Sequence, residues 1–255
     1  MTVTQWGNSA RFAARPLADG GTPAGIWVNA GMRLPELDLD QCPEVVVVGA
    51  HPDDETLGFG GTAALLADAG VRVQIVSASD GGAAYPNQSL LQRFKLERIR
   101  REELYCASGV LGLSAPICLG LPDGRIAENE ERLADLLTEI LATKPVGTWC
   151  ASTWRGDGHP DHEAVGRAAA VAAERTGAVL LEYPVWMWHW ALPDDGAVPW
   201  NRAHSAPLTH IAVERKNLAA QMFRSQFLPT FTDATPLLPP FVLSRLLAVG
   251  EVVFR

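Results

Sequence analysis

The sequence predicts a doubly wound α/β fold, in which helices cover both faces of a mainly parallel β-sheet. The run of four valines in Val45–Val48 is typical of a strand buried on both faces at the centre of such a sheet. Further short apolar runs alternate with longer helical patterns along the chain. Charged residues follow directly after the first valine run. Because burying unpaired charge is costly, they are expected beyond the C-terminal end of this strand, where open α/β sheets bind ligands.

The predicted elements follow one another along the chain as strands and helices. The strands are Val45–Gly49, Val71–Ala78, Ile117–Leu121, Val146–Ala151, Ala178–Val185 and Leu208–Val213. The helices are Thr62–Ala69, Gln92–Val110, Glu130–Thr143, His162–Thr176 and Glu214–Gln226. Asn129 is expected to cap the third of these helices, with its side-chain oxygen accepting from a free amide of the first turn. Beyond Gln226 prolines interrupt the pattern, and no further element is predicted.

Length and composition suit a single domain over residues 1–255. The 47% apolar and 20% charged content is ordinary for a globular protein. Residues 1–41 form an N-terminal extension, and its Trp6, Phe12 and Trp27 indicate that it packs on the domain. The four cysteines show no C-x-x-C pairing and are interpreted as structural. They are Cys42, Cys106, Cys118 and Cys150.

Charge and hydropathy narrow the range of partners. The chain has 29 acidic and 21 basic residues, and its net charge of −8 argues against a nucleic-acid partner. No apolar run approaches the length of a membrane span, and Met1–Pro16 lacks the apolar core of a signal peptide. A cytoplasmic protein without a membrane span is therefore expected. The sequence carries no signal for an oligomeric state.

Two motifs follow predicted strands. After Val45–Gly49, the stretch His51–Glu55 holds one imidazole and three carboxylates, a combination typical of part of a metal site. After Val146–Ala151, the stretch His159–His162 adds two histidines and a carboxylate. In doubly wound sheets the first strand lies beside the first strand past the chain reversal, so both motifs are expected in one crevice. Such a set suits a catalytic zinc ion that keeps open positions.

These motifs resemble those of the LmbE-like (PIG-L type) N-acetylglucosaminyl deacetylases. The matching stretches are Ala50–Glu55 (AHPDDE), His159–His162 (HPDH), Arg100–Gly112, Leu119–Gly124, and Lys216–Ala219 with Ser225–Gln226. The resemblance implies a Rossmann-like fold with the metal site at the C-terminal strand ends. It also implies a divalent metal, usually zinc, and hydrolysis of the amide of an N-acylated amino sugar or glycoside.

The resemblance assigns a role to five residues of the two motifs. His51, Asp54 and His162 match the three metal ligands of the family. Asp53 lies beside a ligand on an extended turn, and it suits a general base for water. His159 would face the substrate oxygen, where as an imidazolium it would stabilise the oxyanion or protonate the departing amine.

Other polar residues receive weaker assignments. Asp161 would hold the His159 ring and keep it charged. Arg100 occupies the family position that contacts the sugar, whereas Asp123 fits either turn chemistry or binding of sugar hydroxyls. Glu55 is interpreted as capping a helix N-terminus. For Asp157, loop hydrogen bonding and substrate contact both stay open.

The aromatic stretch Trp186–Ala206 matches nothing in the family pattern. Two interpretations stay open for it: a core segment, or the wall of a substrate cleft that sets specificity. His189, His204 and His210 have no carboxylate motif nearby and are interpreted as non-ligands.

Three other functions compete with an amino-sugar deacetylase. A dinucleotide-binding oxidoreductase is disfavoured, because Gly58-x-Gly60-Gly61 lacks the required spacing and nearby carboxylates would repel phosphate. A non-catalytic carbohydrate-binding protein would be expected to lose Asp53 or His159, and both are present. A zinc amidohydrolase acting on a non-sugar N-acyl substrate would need the same motifs.

Overall fold

The computed structural model describes residues 7–228 and 236–255, so Trp6 lies outside the described residues. The strands are β1 (Glu44–Gly49), β2 (Arg72–Ser79), β3 (Ile117–Leu121), β4 (Trp149–Thr153), β5 (Val179–Tyr183), β6 (Ala203–Ser205) and β7 (Val252–Phe254). The helices are α1 (Asn8–Ala13), α2 (Ala24–Asn29), α3 (Asp54–Asp68), α4 (Leu90–Leu111), α5 (Glu130–Ala142), α6 (Pro160–Thr176), α7 (Met187–Trp190), α8 (His210–Ala220), α9 (Arg224–Phe227) and α10 (Pro240–Val249).

The strands form one mixed sheet in the order β3-β2-β1-β4-β5-β7-β6. The first five are parallel, and β7 pairs antiparallel with both β5 and β6. Strand β1 lies directly beside β4, with Val45 opposite Trp149, as predicted from the doubly wound order. The C-terminal ends of β1 and β4 therefore open onto the same edge of the sheet, where ligands bind in this class of fold.

Strand β1 is buried on both faces, which confirms the interpretation of the valine run. Val45 and Val47 belong to one hydrophobic cluster, whereas Val46 and Val48 belong to a second cluster on the opposite face. All four side chains are inaccessible to solvent. Since neither face could tolerate an unpaired polar group, the polar residues of this segment are confined to its ends.

Several predicted elements are wrong or displaced. Helix α3 begins at Asp54, eight positions before Thr62, so the first motif opens the helix rather than preceding it. The strand predicted over Leu208–Val213 is absent from the described residues, because Thr209 accepts from the Ala212 amide and caps helix α8. Asn129 makes no capping bond, since its side-chain amide donates to Arg125 instead. Strands β6 and β7 and helix α10 were not predicted.

The glycine-rich stretch that suggested a dinucleotide-binding loop lies inside helix α3. A Cβ atom at Gly58 would come within 2.1 Å of the Tyr183 ring, and one at Gly61 would come within 3.0 Å of Leu208. These glycines therefore serve close packing of α3 against the rest of the fold.

Part of the N-terminal segment packs against the aromatic stretch. Trp27 is buried, its ring meets that of Trp188 edge-on at 4.9 Å between centroids, and its indole N–H donates to the Trp188 carbonyl. Within the described residues no helix has the length and apolar composition needed to cross a bilayer.

The buried carboxylate of Glu251, directly before β7, hydrogen-bonds to helix α3 and pairs with a lysine of α8. The Glu251 carboxylate accepts from the backbone amides of Gly61 and Thr62 at 2.7 and 2.8 Å, and from the Thr62 hydroxyl at 2.6 Å. It also lies 2.9 Å from the Lys216 ammonium of α8, and both side chains are at most 2% exposed. Strand β7 is thereby fastened to the helix that begins at the first motif.

Replacing Glu251 with glutamine is expected to lower the free energy of unfolding by about 3–5 kcal/mol, because the buried Lys216 charge loses its partner. Chemical denaturation with an unchanged m-value would measure this loss. The matched control is Glu214→Gln on the exposed side of α8, for which we expect no measurable change. Equal midpoints for the two variants would contradict the prediction.

Candidate active site

The turn after β1 places its acidic residues through an unusual backbone conformation. Asp53 has φ 141°, a value that side-chain-bearing residues rarely adopt and that is characteristic of functional sites when the surroundings enforce it. The Asp53 amide donates to the Glu55 carboxylate at 3.3 Å, in line with the interpretation of Glu55 as a group at the helix N-terminus. Asp54 then starts helix α3 and accepts from the His51 amide at 2.8 Å.

Three side chains from the two motifs converge on one point. Nδ1 of His51 lies 3.3 Å from one carboxylate oxygen of Asp54, and Nε2 of His162 lies 3.2 Å from the other. All three ligand atoms lie within 4.8 Å of one another. Bonds of about 2.0–2.1 Å at a tetrahedral angle would separate two donors by about 3.3 Å, so these spacings suit a shared zinc-sized cation.

His162 presents an unused nitrogen to this point. Its Nδ1 lies 2.8 Å from the Asp157 carboxylate, and since a carboxylate only accepts, Nδ1 carries the proton. In the neutral ring Nε2 therefore has a lone pair to offer, and it is fully buried without a hydrogen-bond partner among the described residues. A buried atom of this kind is costly unless a cation occupies the adjacent position.

His51 is oriented in the same way from the opposite side. Its Nε2 lies 3.0 Å from Asp123 and 3.3 Å from Asp161, so in the neutral ring Nε2 carries the proton and Nδ1 can offer its lone pair to a metal. Asp123 also accepts from the Ala83 amide at 2.6 Å. The structure thus gives Asp123 a contact with a candidate ligand that neither turn chemistry nor sugar binding had indicated.

The site carries excess negative charge. Burial opposes protonation of His51, but the adjacent Asp123 and Asp161 raise its pKa well above the usual value. Burial likewise opposes protonation of His162, yet the charges of Asp54 and Asp157 raise its pKa to about 9. A bound cation would neutralise the same carboxylates without these protons, so the donor set fits a divalent metal.

Asp53 lies beside the donor set and faces the cleft. Its pKa is raised to about 7, chiefly because the carboxyl group is buried, with Asp54 contributing, while the nearby Arg100 opposes the shift. Its Oδ1 lies 3.4 Å from Nη2 of Arg100. Arg100 also donates to the carbonyls of Pro52 and Gly81, at 2.9 and 3.1 Å, and its side chain is 4% exposed. In the structure Arg100 therefore braces the turn that carries Asp53.

The expected pairing of Asp161 with the His159 ring requires correction. The Asp161 carboxylate accepts from the amides of Gly124 and Ile126 and approaches His51. It is instead the Asp161 backbone amide that donates to Nδ1 of His159, at 3.2 Å. Nδ1 therefore has no proton, and burial, followed by the charges of His162 and His51, lowers the pKa of His159 to about 3. His159 is a neutral imidazole with its proton on Nε2, rather than the expected imidazolium.

A cleft of about 290 Å³ opens beside these residues. The polar side chains that line it are His51, Asp53, Asp54, Arg100, Asp123, His159 and Gln226. The larger apolar side chains in the lining are Leu57, Val185, Trp186, Leu237 and Leu238. Both interpretations of the aromatic stretch hold in part: Trp186 forms cleft wall, whereas Met187, Trp188 and Trp190 are buried core. His189 is also buried, and it hydrogen-bonds to Arg15 and Arg245.

Asp157 organises the site in a way that the sequence did not reveal. Besides holding His162, its fully buried carboxylate accepts from the amides of Val185, Trp186 and Met187, each at 2.9 Å. Of the two alternatives left open for Asp157, the structure shows loop hydrogen bonding, and it adds a contact with His162 that neither alternative had indicated. Gln226, Leu237 and Leu238 were also not expected in the cleft, since they come from the C-terminal part of the chain.

Replacing Asp157 with asparagine is expected to weaken metal binding about 10- to 100-fold, because the amide cannot satisfy His162 and all three backbone amides together. Titration of the metal-free protein with zinc would measure the change. Asp135→Asn on the exposed surface of α5 is the matched control and should bind zinc as the wild type does. Wild-type zinc affinity in Asp157→Asn would show that Asp157 does not orient the ligand.

Comparison with known proteins assigns the chain to a family. Residues 46–173, half of the chain, match the family model described as PIG-L, GlcNAc-PI de-N-acetylase. The chain belongs to the PIG-L family. This match includes both motifs and β1–β4, while α1, α2 and the C-terminal elements lie outside it.

Named relatives of this PIG-L family member are deacetylases. The chain is 33% identical over 156 residues to a 1D-myo-inositol 2-acetamido-2-deoxy-alpha-D-glucopyranoside deacetylase of Mycobacterium sp. (strain KMS), covering 52% of this chain and 51% of the relative. It is 32% identical over 134 residues to a probable N-acetyl-alpha-D-glucosaminyl L-malate deacetylase 2 of Bacillus cereus, covering 51% and 61%. The chain thus spans about half the length of the first of these relatives.

Solved structures confirm the fold. An N,N'-diacetylchitobiose deacetylase from Pyrococcus horikoshii superposes with a TM-score of 0.60 at 22% identity, over 75% of this chain and 73% of that one. A deacetylase of the teicoplanin biosynthetic pathway gives a TM-score of 0.61 at 20% identity, over 83% and 96%. A 4-carboxy-2-hydroxymuconate hydratase from Pseudomonas putida shares the fold at 22% identity and a TM-score of 0.51, over 72% and 80%. The fold alone therefore does not define the reaction.

Proposed function

We propose that this PIG-L family member is a zinc-dependent de-N-acylase that removes an N-acetyl or related N-acyl group from an N-acetylglucosamine-type glycoside. One observation carries the proposal. His51 and His162 each have one ring nitrogen held by a carboxylate, and the other ring nitrogen lies 3.3 and 3.2 Å, respectively, from an oxygen of Asp54. This set of donors suits a catalytic metal ion that keeps open positions.

A divalent cation held by His51, Asp54 and His162 would supply Lewis acidity, both to polarise an amide carbonyl and to lower the pKa of water from about 15.7 toward 7. Proton transfer and binding of the oxyanion depend on residues of the protein. The Asp53 carboxylate faces the cleft beside the donor set and takes a proton from the attacking water. Nε2 of His159 carries a proton and donates it as a hydrogen bond to the developing oxyanion.

The corrected state of His159 changes the expected route of the proton. Because Nδ1 of His159 accepts from a backbone amide, the ring has a single proton, which it uses to bind the oxyanion. Asp53 has by then received a proton from water, and its carboxylic acid can pass that proton to the departing amine. Asp53 would thus serve first as base and then as acid.

The names of the relatives support an amino-sugar substrate. Two of these names describe deacetylases for an N-acetylated glucosamine linked to inositol or to malate. Substrate contacts by Arg100 and Asp123 stay predictions. Both residues line the cleft, and both already hydrogen-bond within the protein. The apolar part of the cleft lining favours a second candidate, a non-sugar N-acyl substrate with an apolar group against Leu57, Val185 and Trp186.

Release of free amine from a panel of N-acetylglucosaminides and of N-acyl amines without a sugar would separate these candidates. The zinc-loaded protein and its Asp53→Asn variant would be assayed side by side. Amine release from the sugar substrates, lost in the variant, would support the proposal. Release only from the non-sugar amides would favour the second candidate, and no release from a protein that holds stoichiometric zinc would contradict both.

A further inference from the structure

The short N-terminal helix α1 lies on the loop that carries His159, outside the part of the chain that matches the family model. The side-chain amide of Asn8 donates to the Gly156 carbonyl at 2.8 Å. The Ser9 hydroxyl donates to Glu163 at 2.9 Å, and the same carboxylate accepts from the Gly158 amide at 3.1 Å. Helix α1 thus contacts both ends of the segment 156–163, which comprises this loop and the first turn of α6.

Phe12 fills the space between this loop and the cleft wall. Its ring lies 5.2 Å from that of Trp186 and 6.3 Å from that of His159, measured between centroids. The contact with Gly158 is so close that a Cβ atom there would come within 2.9 Å of the Phe12 Cβ. Gly158 also has φ +94°, so both its backbone conformation and the approach of α1 require glycine.

A second set of contacts ties α1 to the aromatic segment. The Arg11 guanidinium pairs with the Asp195 carboxylate through two nitrogens, and it lies over the Trp190 ring at 4.5 Å from the centroid. Helix α1 has six residues, too few to be stable in isolation, so its structure depends on these contacts. It bridges the two segments that contribute His159 and Trp186 to the lining of the cleft.

We propose that Phe12 is a positioning residue, through which helix α1 holds His159 and Trp186 in place at the cleft. The inference rests on the proposed function for its catalytic consequence, but not for its structural one. Because the Phe12 ring packs against the rings of His159 and Trp186, it restricts both of them to the observed orientations. Without it, the loop and the indole gain free space next to the position of the reacting amide.

The test compares Phe12→Ala with Phe12→Leu and with the matched control Phe94→Ala, whose side chain is 64% exposed on α4. We expect Phe12→Ala to keep wild-type zinc content and to lose about 10- to 100-fold in kcat/KM, as misplacement of a catalytic group by about 1 Å does. Phe12→Leu should recover part of the loss, and Phe94→Ala should match the wild type. A general loss of stability would change neither kcat nor KM of the folded, zinc-loaded fraction.

Amide hydrogen exchange over residues 156–163 provides a readout that does not depend on activity. Faster exchange in zinc-loaded Phe12→Ala than in Phe94→Ala would support the proposal even if no tested amide is a substrate. Wild-type kinetic constants together with unchanged exchange would overturn it. If Phe12→Ala does not fold, the double variant Asn8→Ala/Ser9→Ala replaces it, and wild-type exchange and kinetics in that variant would overturn the proposal.

Discussion

Replacement of Asp53 with asparagine is expected to lower kcat by about 10²- to 10⁴-fold while zinc content stays at the wild-type level. The asparagine amide cannot take a proton from water, and the substitution leaves the three candidate metal ligands unchanged. Asparagine is also nearly isosteric with aspartate, so it alters the packing at this position less than alanine would. Loss of activity would therefore report on the carboxylate itself.

Zinc analysis and steady-state kinetics on the same preparation would check this prediction, with the exposed Asp135→Asn as the matched control. Parallel loss of zinc and activity in Asp53→Asn would show that Asp53 holds the metal site together. Retention of most activity would show that Asp53 is not the general base.

Replacement of His162 with alanine is expected to remove both bound zinc and activity. Nε2 of His162 is one of three candidate donors, and its loss leaves the buried carboxylates of Asp54 and Asp157 facing each other's charge without the imidazole. The missing nitrogen ligand lowers the affinity for metal, because only His51 and Asp54 of the candidate donor set remain. The contrast with Asp53→Asn, which keeps zinc, separates ligand from base.

Zinc titration of metal-free His162→Ala would measure the loss, and His210→Ala, an exposed histidine on α8, is the matched control. Circular dichroism would verify that the variant is folded before zinc is added. Stoichiometric zinc binding by folded His162→Ala with wild-type affinity would exclude His162 as a ligand.

The parallel part of the fold was predictable because its signals are local. The valine run of β1 and the two motifs are contiguous in sequence, and the doubly wound order places β1 beside β4. The antiparallel edge was not predictable, because β6 and β7 are three residues each and exist only by pairing with distant strands. Tertiary context likewise made a helix of the stretch after Thr209, whose apolar pattern had suggested a strand.

The candidate site, like the fold, was predictable only in part from the sequence. The residue types of the donor set follow from the motifs, whereas the partner of each carboxylate depends on side-chain direction in three dimensions. Asp161 is adjacent to His162 in sequence and two positions from His159, yet its carboxylate turns toward His51. Asp157 precedes His162 by five positions, a spacing that matches no motif. Its carboxylate nevertheless lies 2.8 Å from Nδ1 of His162.

The Asp157 carboxylate accepts four hydrogen bonds, and these bonds couple the orientation of His162 to the position of the cleft lining. The same carboxylate that orients His162 fixes the main chain at 185–187, where the cleft wall begins. We therefore expect that exchanging the Trp186 side chain, which makes no hydrogen bond to Asp157, changes the cleft lining without disturbing His162. Changes of loop length at this point would disturb the candidate ligand His162 as well, so we expect substitution rather than insertion to yield new specificities in this scaffold.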